Sequence, residues 1–244
     1  MSEGVAEFGV LIIGAGGLGI PAAIAALGSG VGSLSLIDPD SVELSNLARQ
    51  VIYRSSDVGR PKAVVAAERL GELFPQARLE ACPFALDASN AARTIARFAF
   101  VVEATDSPSV KFLVNDVCVG LGRPFVYGGV LGLAGQAMTV IPGRTACLRC
   151  LFEEPPGIEE AASCREAGII GPVAGLVGAV QGAEAARFMA GAELRLAGRL
   201  LTYEVDGPPR LRARAVSPRA GCICQAARSA ESIATERRIP EPAG

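Results

Sequence analysis

The chain has 244 residues, half of them hydrophobic, which is enough to build the core of one α/β domain. Its net charge of −2 and the lack of a Lys/Arg-rich run argue against a nucleic-acid-binding surface, and the absence of histidine excludes a Ser-His-Asp triad, a histidine general base and a histidine metal ligand. The chain has seven cysteines, an odd number, and we expect no export signal. Both observations favour thiol or metal chemistry over a disulfide framework.

The first predicted elements are a buried strand over residues 9–13, a glycine-rich turn and a helix over residues 17–27. Such a turn lets the backbone approach a phosphate, and the helix N-terminus supplies free N–H groups. A second strand, Ser33–Ile37, ends at Asp38, about 20 residues after the turn, where a carboxylate can bind a ribose hydroxyl. A glycine-rich packing turn without a ligand is the alternative. The glycines concerned are Gly14, Gly16, Gly17 and Gly19.

Residues 8–37 carry no charge, so a membrane span or signal segment has to be considered. Glycines and Pro21 interrupt the segment, and the first basic residue of the chain is Arg49. We therefore expect neither a signal peptide nor a membrane span, and we expect a cytoplasmic protein.

Two polar segments follow the second predicted strand: Ser45-Asn46-Leu47-Ala48-Arg49-Gln50 and Gly59-Arg60-Pro61-Lys62. Together with the glycine turn, their amide and cationic side chains indicate a site that binds a triphosphate and acts on it. Phosphoryl and nucleotidyl transfer need positioning and charge neutralisation by Arg, Lys and Mg²⁺, so they do not require histidine.

Alternating elements continue as a helix over 61–73, the strand Arg78–Cys82, a helix over 88–97 and the strand Phe98–Glu103. Thr105 and Asp106 follow that strand, and in a doubly wound sheet they face the same crevice as the glycine turn. Asp106 or Ser107 also suits the N-cap of the helix over 109–120, and the two roles are compatible. Lys111 lies on one face of that helix, four residues before Asn115.

The remaining segments are a buried helix within residues 168–190, a hairpin of strands over 199–205 and 211–215, and a disordered tail over 226–244. The prediction is therefore one domain over residues 1–225. Its fold class is α/β, with a doubly wound, mostly parallel Rossmann-like sheet and an appended antiparallel portion.

These motifs, in this order from residue 9 to about 224, resemble the ThiF/MoeB-type (HesA/MoeB/ThiF) adenylyltransferases, bacterial relatives of ubiquitin-activating enzymes. The matching stretches are the glycine turn, Leu36-Ile37-Asp38-Pro39-Asp40, the two polar segments, Ala104-Thr105-Asp106, Gly135-Gln136, Cys147-Leu148-Arg149-Cys150, Cys164-Arg165-Glu166-Ala167-Gly168 and the final cysteines.

The resemblance implies adenylylation of the C-terminal glycine of a ubiquitin-like sulfur carrier ending in Gly-Gly, by a homodimer that uses ATP and Mg²⁺. Asp106 would bind Mg²⁺. The resemblance places Asp38 on the ribose, Asn46 and Arg49 on the β- and γ-phosphates, and Lys62 on the α-phosphate. The other implied ATP-binding residues are the four glycines, Asp40, Ser45 and Thr105.

The cysteines fall into three groups. Cys147 and Cys150 form a CxxC, and Cys222 and Cys224 form a CxC, a set of four thiolates expected for structural zinc, Zn²⁺. The family's second pair is CxxC, so loss of zinc is the alternative. Cys164 lies in a polar predicted crossover loop and is either a nucleophile or a cysteine without a role. Cys82 and Cys118 suit core packing.

Two other functions remain open: a catalytically impaired scaffold of the same fold and, more remotely, an NAD-dependent oxidoreductase. Family members carry about two dozen more N-terminal residues, including an arginine that reaches the partner subunit's ATP site. No basic residue precedes Gly9 here, so we expect weaker ATP binding than in relatives. The sequence does not choose between the molybdopterin, thiamine and other sulfur-transfer pathways.

Overall fold

The computed structural model describes residues 8–155 and 170–225, and its framework is one eight-stranded sheet. The strand order is β3-β2-β1-β4-β5-β6-β7-β8. The strands are β1 (Phe8–Ile13), β2 (Ser33–Ile37), β3 (Arg78–Cys82), β4 (Phe98–Glu103), β5 (Phe125–Leu131), β6 (Ala134–Val140), β7 (Arg199–Glu204) and β8 (Arg210–Ala215).

Strands β1 to β5 are parallel to one another, with β1 in the centre between β2 and β4. Val10 pairs with Leu34 on one side and with Phe100 on the other. Because these strands run in one direction, the segments that follow β1, β2 and β4 meet at one edge of the sheet. A ligand site is expected at this edge.

Strands β5 to β8 are antiparallel neighbours. Strand β8 pairs only with β7 among the described strands, and all six of its residues are exposed. Alternation along a strand places Arg210, Arg212 and Arg214 on one face of this edge.

Helices cover both faces of the sheet, as expected for a doubly wound fold. The helices are α1 (Gly19–Gly28), α2 (Lys62–Leu73), α3 (Ala91–Ile95), α4 (Pro108–Gly120), α5 (Leu148–Leu151) and α6 (Gly171–Met189). Residues of α1, α2 and α6 pack in one hydrophobic cluster, and residues of α3, α4 and α5 pack in the other. Along β1, Val10 and Ile12 belong to the first cluster, whereas Leu11 and Ile13 belong to the second.

Strands β1 to β4 are confirmed where the sequence predicted them, and the helices, the terminal hairpin and the buried helix α6 are confirmed near their predicted positions. The third helix is shorter than the predicted 88–97, because Asp87 and Asn90 fold the preceding residues into a turn through their side chains. Strands β5 and β6 and the short helix α5 were not predicted. The tail predicted to be disordered lies outside the described residues.

Helices α1 and α6 approach closely because glycines of α6 face the backbone of α1. A Cβ atom on Gly178 would lie 2.2 Å from the Leu18 carbonyl oxygen, and one on Gly182 would lie 2.2 Å from that of Ala22. Any side chain at these positions must push the helices apart. Glycine at these two positions therefore allows the short distance between α1 and α6.

We expect Gly178→Ala to lower the free energy of unfolding by about 1–3 kcal/mol, the typical cost of overpacking a core. Gly175→Ala in the same helix is the control, because a Cβ there meets no atom within 4 Å. The control should be neutral or stabilising by roughly 0.5–1 kcal/mol, since alanine is the better helix former. Urea unfolding of both variants measures the difference, and equal values for the two would contradict the packing argument.

No helix within the described ranges is long and apolar enough to cross a membrane.

Candidate active site

The glycine turn connects β1 to α1 and lies against the end of β4. Gly14 has a positive φ of 100°, and a Cβ there would lie 2.7 Å from the Ala104 carbonyl oxygen. A Cβ on Gly19 would collide with the Gly14 carbonyl oxygen. At Gly16 and Gly17 the nearest atoms would lie at 3.5 and 3.4 Å, an ordinary contact distance. Packing within the protein thus requires glycine at positions 14 and 19, whereas Gly16 and Gly17 leave space for a ligand beside the N-terminus of α1.

Asp38, at the end of β2, holds the turn in place. Its Oδ2 accepts a hydrogen bond of 2.7 Å from the backbone N–H of Ala15, and its Oδ1 accepts one of 2.9 Å from that of Asp40. Burial raises the pKa of the Asp38 carboxyl, and the two N–H donors act in the opposite direction. The predicted contact of Asp38 with a ribose stays a prediction, but its contact with the glycine turn places it at the site.

Tyr53 is a site residue that the sequence did not reveal. Its side chain is buried, and its Oη lies 2.7 Å from the Ala15 carbonyl oxygen and 3.3 Å from that of Lys62. Burial raises the pKa of Tyr53 far above its ordinary value, so the phenol stays a neutral donor. It joins the glycine turn to the start of α2, two segments that lie 38 and 9 residues from it in the chain.

Tyr53→Phe should lower the free energy of unfolding by about 1–3 kcal/mol, because the buried Ala15 carbonyl would lose its hydrogen-bond donor. Tyr203→Phe is the matched control, since no described residue makes a hydrogen bond with the Tyr203 hydroxyl. Chemical denaturation of both variants tests this role. Tyr53→Phe unfolding like the wild type would show that the hydrogen bond to the turn does not stabilise the fold.

The segment Ser45–Gln50 brings polar side chains against the glycine turn. Asn46 and Gln50 are buried, and Asn46 Oδ1 and Gln50 Oε1 have no hydrogen-bond partner among the described residues. Gln50 Nε2 lies near Gly16, 3.5 Å from the position of a Cβ there. Buried polar atoms are rarely left unpaired, so these two amides indicate a place for a bound polar group.

Two cations lie at the same edge. The Arg49 guanidinium donates to the Ser45 carbonyl oxygen at 3.2 Å and remains half-buried. The buried Lys62, at the start of α2, has its Nζ 2.9 Å from Asp40 Oδ2. Asp40 is the more exposed partner, with 65% of its side-chain surface accessible. The sequence predicted Lys62 and Asp40 at the site, and the structure shows that these two residues form an ion pair.

Asp106 follows β4 and precedes α4, which begins with Ser107 as its N-cap. Ser107 Oγ accepts the backbone N–H of Val110, so Ser107 is the N-cap of the two residues that the sequence offered for that role. The Asp106 carboxylate is exposed, and no described residue pairs with it. It is therefore free to bind a cation at the edge where Gly14 contacts Ala104 and Thr105.

A groove of about 390 Å³ extends from this edge between α1, the Arg49 segment and the start of α6. Its lining is apolar apart from Arg49, and it includes Gly17, Pro21, Ala48, Val51, Gly171, Pro172 and Gly175. Of the lining residues, Val51 is strongly exposed.

On the other face of the sheet, Cys147, Cys150, Cys222 and Cys224 bring their sulfur atoms within 4.8 Å of one another. The Cys147 and Cys222 sulfurs are 3.6 Å apart, and those of Cys150 and Cys224 are 3.5 Å apart. The CxC pair therefore completes the cluster despite being one residue shorter than the family's CxxC. Such a cluster could hold a metal ion.

The surroundings of the four thiols shift their pKa values in different directions. Burial raises the pKa of Cys147 to about 11 and raises the pKa of Cys224 further. Burial acts in the same direction on Cys150, but hydrogen bonds from the backbone of Arg219 and Cys147 and from the side chains of Cys224 and Cys222 together outweigh it and lower the pKa of Cys150. The Arg219 N–H donates to the Cys150 sulfur at 3.3 Å. Metal binding would convert the thiols to thiolates.

Helix α4 fixes the CxxC segment. Asn115 Oδ1 accepts the Leu148 N–H at 2.8 Å, and Asp116 binds Arg149 through two hydrogen bonds of 2.8 Å each. Cys82 and Cys118 are buried in the core, as predicted, whereas Cys164 lies outside the described residues.

The comparison with protein families gives a match over residues 3–224, to the model described as the ThiF family. The chain belongs to the ThiF family. Over 200 residues it is 41% identical to the sulfur carrier protein adenylyltransferase of Thermus thermophilus, covering 80% of this chain and 74% of that protein. Over 185 residues it is 40% identical to the sulfur carrier protein ThiS adenylyltransferase of Escherichia coli, covering 75% and 73%.

Other ThiF-family relatives are longer. The adenylyltransferase and sulfurtransferase UBA4 of Candida albicans is 40% identical over 184 residues, which are 75% of this chain but 42% of that protein. Among solved structures, E. coli MccB with AMPCPP and MccA matches with a TM-score of 0.77 at 21% identity, covering 90% of this chain and 67% of that one. This likeness shows that the two proteins share a fold.

Proposed function

We propose that this ThiF-family protein uses ATP to adenylylate the C-terminal glycine of a ubiquitin-like sulfur-carrier protein. The observation that carries the proposal is the convergence of the glycine turn, Asn46, Arg49, Lys62 and Asp106 at one edge of the sheet. Family membership and the adenylyltransferase names of the relatives support the same reaction.

In the proposed reaction, a carboxylate oxygen of the carrier's terminal glycine attacks the α-phosphorus of ATP. A new O–P bond forms, the bond from the α-phosphorus to the bridging oxygen breaks, and pyrophosphate leaves with that electron pair. The products are an acyl adenylate and pyrophosphate. A carboxylate needs no general base, which agrees with a chain that has no histidine.

What the reaction requires is neutralisation of the phosphate charge. Lys62 and Arg49 carry positive charge to the glycine turn, and the N-terminus of α1 adds partial positive charge. The ion pair with Asp40 orients the Lys62 ammonium, and an incoming phosphate would compete with the exposed Asp40 for it. Asp106 fits Mg²⁺, a cation that prefers oxygen ligands and would neutralise charge on the phosphates when bound.

Pyrophosphate exchange tests the proposal. The protein is incubated with ATP, Mg²⁺ and labelled pyrophosphate in the presence of a panel of carriers that end in Gly-Gly, and labelled ATP is measured. We expect exchange with at least one carrier and none with the same carrier lacking its terminal glycine. Absence of exchange with every carrier, in protein that binds ATP, would favour the scaffold alternative.

We further propose that the four-cysteine cluster holds a structural Zn²⁺ ion. A tetrahedral site with Zn–S distances of about 2.3 Å has its sulfurs roughly 3.8 Å apart. Two of the sulfur separations, 3.6 and 3.5 Å, come close to this value, and all lie within 4.8 Å. The thiol-only donor set also suits zinc.

A homodimer is the proposed assembly. Val51, accessible over 76% of its surface, lines the apolar groove beside Arg49. Leu44, which precedes the Ser45–Gln50 segment in the chain, is accessible over 71%. Apolar surface of this kind is typical of a protein interface. Sedimentation velocity should show a dimer, and Val51→Asp should shift it towards monomer.

A further inference from the structure

A largely buried ion pair lies at the carboxyl end of β4, next to the turn that carries the candidate Mg²⁺-binding carboxylate. Glu103, the last residue of β4, is 0% exposed, and its Oε2 lies 2.6 Å from the Nζ of Lys111 in α4. A buried ion pair contributes little net stability when the desolvation of both charges offsets their attraction. Neither residue has a role in the proposed chemistry, so the pair needs another explanation.

The second carboxylate oxygen of Glu103 holds the turn that carries Asp106. Glu103 Oε1 accepts the backbone N–H of Thr105 at 2.9 Å and the Thr105 hydroxyl at 2.6 Å. Thr105 is the immediate neighbour of Asp106. Two hydrogen bonds to one carboxylate oxygen fix both the backbone and the side chain of that neighbour.

Lys111 ties the same carboxylate to the next strand. Its Nζ also donates to the Gly128 carbonyl oxygen of β5 at 2.6 Å and lies 5.1 Å from the centre of the Tyr127 ring. The Tyr127 hydroxyl in turn accepts from Gln136 Nε2 of β6 at 2.7 Å. The network therefore links β4, α4, β5 and β6 at the edge where ligands are expected.

The backbone of Glu103 is held as well. Gln181 of α6 donates through Nε2 to the Glu103 carbonyl oxygen at 2.6 Å. A Cβ on Gly128 would lie 2.4 Å from Gln181 Oε1, so the glycine makes room for this amide. Glu103 is thus anchored from both faces of the sheet, by Lys111 on one and Gln181 on the other.

We infer that Glu103 and Lys111 are positioning residues of the adenylylation site, which orient the Thr105-Asp106 turn so that the Asp106 carboxylate faces the metal and nucleotide. The inference rests on the proposed function. The pair acts through Thr105 and the backbone, and neither residue needs to contact the nucleotide. Outer-shell partners of this type typically change metal affinity by about 10-fold to 100-fold when they are removed.

The test measures ATP affinity by calorimetry with and without Mg²⁺, which does not depend on turnover. Glu103→Gln keeps the size of the side chain but leaves Lys111 without its counter-charge. We expect about 10-fold weaker binding of ATP in the presence of Mg²⁺ and a less than twofold change in its absence. Lys111→Met should give the same selective loss, and Lys111→Arg, which keeps the positive charge beside Glu103, should retain most of the wild-type affinity.

Glu80→Gln is the matched control. Glu80 is also a strand glutamate that accepts a hydroxyl, from Ser35 at 2.7 Å, and pairs with a cation, Arg97 at 3.2 Å, but on β3. It should leave both ATP affinities unchanged. If Glu103→Gln fails to fold, Thr105→Val provides the test of the positioning role. This substitution removes one hydrogen bond to Glu103 and leaves the ion pair intact.

A loss in Glu103→Gln or Thr105→Val that is equal with and without Mg²⁺ would overturn the positioning role, as would a wild-type ATP affinity that does not respond to Mg²⁺. Wild-type protein that binds Mg²⁺ and ATP, shows the selective loss in the variants and yet adenylylates no carrier would overturn the proposed function alone. The two failures are therefore distinguishable.

Discussion

Asp106→Ala is expected to lower the rate of Mg²⁺-dependent pyrophosphate exchange by about 1,000-fold, which corresponds to roughly 4 kcal/mol of transition-state stabilisation. The expectation follows from the position of this carboxylate, exposed at the carboxyl end of β4 and unpaired by any described residue. Without this carboxylate the site would bind Mg²⁺ less well. The negative charge of the phosphates would then repel the carrier carboxylate more strongly. The thermal unfolding midpoint should stay close to that of the wild type, because an exposed unpaired side chain contributes little to stability.

Asp206→Ala provides the control for this substitution. Asp206 is another exposed carboxylate that follows a strand, here β7, but it lies in the turn of the terminal hairpin. The control should retain full exchange activity. Exchange by Asp106→Ala within tenfold of wild type would remove Asp106 from the metal site, even if the protein proves to be an adenylyltransferase.

Cys147→Ser is expected to release one zinc ion per chain and to lower the unfolding midpoint by about 10 °C. A ligand that is present at 1,000 times its dissociation constant stabilises the folded state by about 4 kcal/mol. For a chain of this size, 1 kcal/mol corresponds to roughly 2–4 °C. Elemental analysis of protein purified without chelator, together with calorimetric melting, measures both effects.

Cys118→Ala separates metal loss from ordinary core damage. Cys118 is as fully buried as Cys147, but it lies in α4 outside the cluster. Its substitution should lower stability moderately while the zinc content stays at one per chain. Wild-type protein without zinc would show that the convergence of the four sulfurs does not suffice for binding.

The sequence predicted the parallel half of the sheet better than the antiparallel half, for a local reason. Strands β1, β2 and β4 are short apolar runs bounded by turn residues, the pattern of strands buried on both faces. Strands β5 and β6 contain Gly128, Gly129 and Gly135, which interrupt that pattern. Tertiary contacts explain two of them, since Gln181 fills the space beside Gly128 and Val177 fills that beside Gly135.

The candidate site was predicted as far as its residues follow strand ends or belong to compact motifs. The glycine turn, Asp38, the Asn46 and Arg49 segment, and Asp106 all meet this condition. Tyr53 does not, because its role depends on a contact with Ala15, 38 residues earlier in the chain. The Glu103 and Lys111 pair was only partly predictable. The sequence shows that the two residues are eight positions apart, but only the structure shows that the Lys111 side chain turns back towards β4.

The exposed edge of the sheet at β8 affects how copies of the protein behave in concentrated solution. An unpaired strand edge can extend into a continuous sheet with another molecule, and natural proteins often prevent this with charged side chains. Arg210, Arg212 and Arg214 would come next to the same arginines if two β8 strands paired, and this repulsion opposes growth of the sheet. Salt screens such charges, so resistance to sheet-type aggregation should weaken as ionic strength rises.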